Sequence, residues 1–211
     1  MSLIFYSAPM STATLTGIVL EELGIPYERK KLDIRAGDTK KSDYLAINPN
    51  GKVPTIVHDG IAIWESAAIT MYLGETFGVD KKLYPPAGPK RGQAMMWIAW
   101  TNVTLGEAVY RRGYAGEWGD EATRNPNMVE KATKDIAELL GILDAALASK
   151  QFLVGDFTLA DAHLNSFCDW LRHSKIDFTP FANINAWSAR CSERPAYKRV
   201  MAAEMAAAGA H

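Results

Sequence analysis

The stretch from Asn48 to Ser66 constrains this chain more than any other. It runs Asn48-Pro49-Asn50-Gly51-Lys52-Val53-Pro54, then Thr55-Ile56-Val57-His58, Asp59-Gly60, Ile61-Ala62-Ile63-Trp64 and Glu65-Ser66. Physically this is a turn, a short strand, a tight hairpin turn and a second short strand, followed by an acid–hydroxyl pair that opens an apolar helix. Val53 precedes a proline, which forces it to be extended and leaves its backbone free to pair with something other than its own strand. Pro54 is either an ordinary strand-opening proline or a cis one. Glu65 and Ser66 set a carboxylate, a hydroxyl and unpaired helix N–H groups in one small volume. That volume is either a plain helix cap behind a hairpin or a grip for a ligand carrying both charges.

The flanking residues extend the pattern. Leu3-Ile4-Phe5-Tyr6 reads as a buried strand, and Ser7-Ala8-Pro9 breaks it. A helix follows from Met10-Ser11-Thr12, with Leu15, Ile18, Val19, Leu20 and Leu23 on its apolar face and Gly24 as its stop. A partly alternating strand is predicted over 28–32, one or two helical turns over 42–45, and an apolar helix from Glu65 to Gly78. The order is β-α-β-α-β-β-α. A proline- and glycine-rich run then marks a boundary, and beyond it no strand signal recurs. A long helix is predicted over 90–112, a loop over 113–127, and further helices carrying Ile136 to Leu147, Leu164 to Leu171, Trp187, and the residues after Pro195. Thr158 and Asp161 form a capping box ahead of the third of these helices. The fold class expected is an α/β domain at 1–80, a linker at 81–88, and an all-α helical bundle at 89–211.

Composition removes several function classes. The net charge is -1, and no lysine/arginine block appears, so neither nucleic acid nor an anionic membrane is expected as a partner. No basic and apolar leader follows Met1, and no run is long and apolar enough to span a bilayer. Cys168 and Cys191 lie outside metal-type spacing, and the four histidines show no paired spacing. Reduced thiols, a cytoplasmic setting and no metal are expected.

Ser7, Ser11 and Thr12 cluster at a helix N-terminus that favours negative charge, either as caps or as a catalytic hydroxyl. A Gly-x-Ser-x-Gly elbow and a Gly-x-Gly-x-x-Gly phosphate loop are both missing, which removes the common serine-hydrolase and dinucleotide readings.

Taken together, the β-α-β-α-β-β-α order, the Asn-Pro-x-Gly-Lys-Val-Pro run, the Glu-Ser helix start and the helical second half resemble the glutathione S-transferase family. Ser11-Thr12-Ala13-Thr14 is similar to its serine-using, phi- and theta-like branches. The resemblance implies a thioredoxin-like first domain and glutathione as co-substrate. Ser11 would donate to the glutathione sulfur, with Tyr6 as the alternative activator. Lys40 and Lys52 would reach the glycyl carboxylate. Val53 would pair with the cysteinyl backbone, Pro54 would be cis, and Glu65 and Ser66 would hold the γ-glutamyl ammonium and carboxylate. The position where redox relatives carry cysteine is Ser11, which disfavours disulfide exchange.

The second substrate is expected to be a small hydrophobic electrophile. Its pocket would be lined by Pro9, Met10, Thr104, Ala108, Arg111, Tyr114 and Trp118. Arg111 and Arg112 would either favour an anionic or carbonyl-bearing electrophile or face water. Trp97 and Trp100 are read as packing residues. The resemblance also implies a homodimer with a role in detoxification, in which Asn102 would reach the partner's glutathione. Other glutathione-dependent reactions, or a non-catalytic binding module, are the alternatives on the same scaffold.

Overall fold

The structure is a computed structural model and describes residues 2–9 and 11–208. Its first part comprises β1 (Leu3–Ser7), α1 (Ala13–Leu23), β2 (Glu28–Lys31), a short α2 (Ser42–Leu45), β3 (Thr55–His58), β4 (Ile61–Trp64) and α3 (Ser66–Leu73). A π-helical turn, Gly74–Gly78, continues α3. The sheet order is β2-β1-β3-β4, with β2 parallel to β1 and the hairpin strands antiparallel. This is the thioredoxin-like arrangement that the element order predicts.

Elementary causes account for each piece. Leu3, Phe5 and Ser7 on β1 are buried, and α1 buries Leu15, Ile18, Val19, Leu20 and Leu23 against the same core. Gly24 closes α1 in the left-handed conformation, φ 57°, with its N–H on the Leu20 carbonyl. β2 is the charged edge strand: Glu28, Lys30 and Lys31 face water, which explains its weak alternation and keeps that edge unpaired. Asp59 and Gly60, at φ 46° and 86°, give the hairpin a turn whose twist matches its strands.

The second part is helical: α4 (Pro89–Trp100), α5 (Gly106–Ala115), α6 (Pro126–Leu147), α7 (Leu159–His173), α8 (Ala182–Ser192) and α9 (Pro195–Ala208). The single helix expected over 90–112 is interrupted by a π-helical turn at Thr101–Leu105. Such turns lie outside the reach of apolar periodicity and concentrate at functional sites. Trp97 packs edge-on against Trp100, with ring centroids 5.3 Å apart. The buried Asp161 carboxylate organises this half, accepting from the N–H groups of Leu153 and Thr158, from the Thr158 hydroxyl and from Trp187 Nε1. Burial pushes its pKa up while those bonds pull it down.

The two halves are tied together at several points. Leu159 N–H bonds the Leu83 carbonyl at 2.9 Å, and Arg194 grips Glu22 through two bonds of 2.7 and 2.6 Å. Tyr84 packs so closely on Gly74 that a Cβ there would lie 2.6 Å from its ring. No helix among the described residues is long and apolar enough to cross a membrane.

Candidate active site

The turn at 48–54 before β3, the start of α3 and the π-helical turn after α4 face one another across a cleft of roughly 250 Å³. Lys52, Val53, Pro54, Glu65 and Ser66 all line it, joined by Thr12, Asn48, Asn102, Val103, Tyr110 and Phe167. The turn that carries Lys52 is clamped from below. Tyr44 Oη donates to the Lys52 carbonyl at 2.6 Å and Asn48 Nδ2 at 2.9 Å, and both also bond Thr55 Oγ1. Lys52 is left exposed at the rim. Lys40 does not line the cleft; its Nζ donates to the Gly51 carbonyl at 3.1 Å, next to Lys52.

Val53-Pro54 is a cis peptide bond. The Val53 carbonyl accepts from Thr12 Oγ1 at 3.2 Å, and nothing among the described residues accepts its N–H. An extended ligand can therefore pair here as an added strand. Glu65 is exposed at φ 71°, a strained conformation for a residue with a side chain, costing on the order of 1–3 kcal/mol. The strain turns the chain sharply enough that Ser66 begins α3 at the cleft wall. Ser66 is buried, and its Oγ accepts from Asn102 Nδ2 at 2.7 Å. Asn102, a candidate for reaching a partner's glutathione, bonds Ser66 of its own chain. Behind Asn102 lies the wholly buried His163, whose Nε2 is 2.7 Å from Asn102 Oδ1 and whose Nδ1 is 2.8 Å from Thr70 Oγ1. Desolvation lowers the His163 pKa to about 3.

A second, smaller cavity of roughly 50 Å³ adjoins the cleft; Leu15, Phe167, Trp170 and Met201 give it a mainly apolar surface, with Ser166, Asp169 and His173 also on its lining. Ser11 opens onto this cavity rather than the cleft, whereas Thr12, Leu15 and Phe167 line both. The Ser11 hydroxyl donates to the Ala8 carbonyl at 2.7 Å and accepts the Ala13 N–H at 3.2 Å, so it caps the start of α1. Thr12 was read only as part of the helix-start cluster, and the structure brings it into the cleft itself.

The outer wall is aromatic. Trp118 stacks on Trp170 (5.2 Å, 17°) and Tyr110 on Tyr114 (6.3 Å, 24°), while Tyr110 also meets Trp118 and Trp170. Gly113 makes this possible: a Cβ there would lie 2.0 Å from the Trp118 ring. Tyr110, Phe167 and Trp170, which sequence reasoning missed, line the cleft or the second cavity, while the expected Tyr114 and Trp118 stack on Tyr110 and Trp170 without lining either. The four-residue spacing of Tyr110 and Tyr114 signals a shared helix face; nothing in the sequence links α5 to Trp170.

The other residues expected in the pocket lie elsewhere. Ala108 is core, 1% exposed. Arg111 turns to α6, where it is held by Glu107 (2.8 and 3.1 Å) and Asp135 (2.8 Å). Successive helix positions point about 100° apart, which puts Ala108 on the far side of α5 from Tyr110 and Tyr114; Arg111 lies three residues from Tyr114, and its ion pairs with Glu107 and Asp135 engage its guanidinium instead. Thr104 is exposed and Pro9 half-exposed, and neither lines the cleft or the second cavity; Met10 lies outside the described residues.

The fold is thus a thioredoxin-like domain with an open backbone edge and an acid–hydroxyl pair, facing an aromatic-walled helical domain. The glutathione S-transferase N-terminal domain model matches residues 1–75 and the C-terminal domain model residues 95–195. The chain is 33% identical over 191 residues to glutathione S-transferase GstB of Escherichia coli K12, covering 87% of this chain and 89% of the relative. The chain belongs to the glutathione S-transferase family, a family of enzymes. Among solved structures, it is similar to the theta class glutathione S-transferase of Xanthomonas axonopodis pv. citri with glutathione bound (30% identity, TM-score 0.83, 94% of this chain and 96% of that one). It is also similar to the glutathione transferase URE2P6 of Phanerochaete chrysosporium in complex with oxidised glutathione (26% identity, TM-score 0.89, 97% and 96%).

Proposed function

We propose that the protein binds glutathione in the cleft and joins the glutathione sulfur to a small hydrophobic electrophile held at the adjoining cavity. The observation that carries this reading is the adjacency of the two cavities, which share Thr12, Leu15 and Phe167 in their lining, with the positive end of α1 beside both. Glu65 and Ser66 take the γ-glutamyl ammonium and carboxylate, Val53 pairs with the cysteinyl backbone, and Lys52, backed by Lys40, takes the glycyl carboxylate.

A free thiol titrates near about 8.5, and each unit of depression corresponds to about 1.4 kcal/mol. A hydroxyl donor and the α1 N-terminus both favour thiolate. Ser11 serves as donor by turning its hydroxyl from the Ala8 carbonyl to the sulfur. The thiolate attacks the electrophilic carbon, a C–S bond forms, and the leaving group departs with its bonding electrons. The protein contributes approximation and charge stabilisation. A protein thiol has no part in this: Cys168 and Cys191 are both buried, and burial pushes their pKa values up.

The domains are read as 1–80 and 89–211 with a linker between. The working form is read as a cytoplasmic homodimer engaged in detoxification. Exposed Ile61, Trp64 and Met96 offer apolar surface for a second copy, which sedimentation would test.

The test of the chemistry is a thiolate absorbance titration of bound glutathione in wild type, S11A, T12V and Y6F. S11A is expected to raise the sulfur pKa by one or more units. Loss of the low-pKa thiolate in T12V or Y6F alone would move the activating role to that residue. Failure of wild type to bind glutathione would overturn the whole reading.

A further inference from the structure

Ser66, Asn102, His163 and Thr70 form one hydrogen-bonded chain that runs from the cleft into the interior and crosses from α3 to α7. Its links measure 2.7, 2.7 and 2.8 Å. The direction in which protons point along such a chain follows from counting donors. A neutral imidazole has one N–H and one bare nitrogen, so the chain has two self-consistent polarities. In one, Asn102 donates to Ser66, His163 Nε2–H donates to Asn102, and Thr70 O–H donates to bare Nδ1. In the other, every bond is reversed, and the Thr70 proton must find a different acceptor.

Thr70 is fully buried, and among the described residues its hydroxyl meets only His163. A buried O–H with no acceptor forfeits its hydration without replacement, so the first polarity holds. Its consequence reaches the surface. Ser66 Oγ is occupied from behind as an acceptor, and its own proton is directed into the cleft.

We propose that Asn102 and His163 are positioning residues that fix Ser66 as a donor, committing that corner of the cleft to a ligand carboxylate. The proposal rests on the glutathione reading and adds the reason why Ser66 and Glu65, adjacent in sequence, take opposite ends of one amino-acid group. Glu65 only accepts when ionised, so it faces the ammonium. Ser66, held by the chain behind it, donates to the carboxylate. The π-helical turn at Thr101–Leu105 is what brings Asn102 to the cleft, and His163 contributes from α7. The peptide site of the first domain is therefore completed by the second.

The experiment is calorimetric titration with glutathione and with 4-aminobutyryl-cysteinyl-glycine, the same peptide without the α-carboxylate. N102A is expected to weaken glutathione about tenfold while leaving the analogue within about twofold. N102D keeps the shape but can only accept; it draws the Ser66 proton inward and is expected to weaken glutathione further than N102A. Equal losses of both ligands in N102A would make Asn102 merely structural and overturn the proposal, as would wild-type glutathione binding by N102D. Nitrogen NMR of the imidazoles reads the polarity without any ligand. His163 is expected as the Nε2–H tautomer, and an Nδ1–H signal would overturn it. If wild type binds neither peptide, the glutathione reading has failed; if it binds glutathione and N102A shows no selective loss, only the positioning chain has failed.

Discussion

The peptide half of the cleft and its aromatic half are built on different principles. The peptide half comes mostly from one contiguous stretch, Lys52 to Ser66, and is fixed by short, directional bonds: Tyr44 and Asn48 under Lys52, Thr12 on the Val53 carbonyl, Asn102 on Ser66. The aromatic half is assembled from α5, the segment after it and α7, and rests on ring stacking rather than hydrogen bonds, with Tyr110, Tyr114 and Trp118 still exposed. Hydrogen bonds discriminate sharply, because a missing partner leaves a buried group unpaired. Apolar walls discriminate weakly, because area tolerates changes in shape. The molecule is thus expected to be strict toward its peptide and permissive toward its electrophile.

The largest test of that contrast is Glu65→Ala. It removes the only carboxylate among the cleft-lining residues, and glutathione affinity is expected to fall about a hundredfold. The KM for electrophile should stay within about twofold. Equal losses of both would break the division between the halves. The positive φ at this position is eased little by alanine, so the effect reports lost charge rather than relieved strain.

Acid is expected to damage the peptide half first. The His163 pKa is near 3 in the fold against an ordinary 6.5, so between those values the unfolded chain binds a proton that the folded chain refuses. Stability from the neutral imidazole is complete above 6.5 and is lost as pH falls toward 3, at about 1.4 kcal/mol per pH unit. Denaturant melts of wild type and H163Q across this range would isolate the term, since the other groups cancel in the difference. A stability difference that stays flat with pH would sink it. The aromatic half has no counterpart, because partial desolvation among its neighbouring rings, with Tyr114 and Glu65 nearby, raises the Tyr110 pKa and keeps the phenol neutral through the same range.

Within the aromatic half, W118A removes one face of the Trp118–Trp170 stack. Its KM for a hydrophobic electrophile is expected to rise about tenfold, with glutathione affinity unchanged. A loss confined to glutathione would mean that the wall serves the peptide.

The same contrast decides what the sequence could reveal. Val53, Pro54, Glu65 and Ser66 are neighbours in the chain, and their geometry follows from local rules: a residue before proline is extended, and an acid–hydroxyl pair opens a helix. Their placement was legible. The chain behind Ser66 was not, because it joins Thr70, Asn102 and His163 across the domain boundary and depends on a π-helical turn that apolar periodicity reads as ordinary helix. His163 looked like one more unpaired histidine. The aromatic wall was half legible, since Tyr114 lies on α5 and Trp118 just after it, while Trp170 meets Trp118 only through the packing of α7.

Arg111 gives the smallest expected effect and the sharpest check on the permissive half. As a free cation it would select anionic electrophiles, one of the two roles open to it on sequence. In the fold its guanidinium is held by Glu107 and Asp135, and those two carboxylates raise its pKa. A cation already neutralised on the α6 side has little field left for the cavity, and solvent screens the rest. R111A is therefore expected to leave the ratio of kcat/KM for carboxylated and uncharged electrophiles within about twofold of wild type. A selective fall for the carboxylated substrate would show that Arg111 exchanges Asp135 for ligand. The outer half would then discriminate by charge as the inner half does.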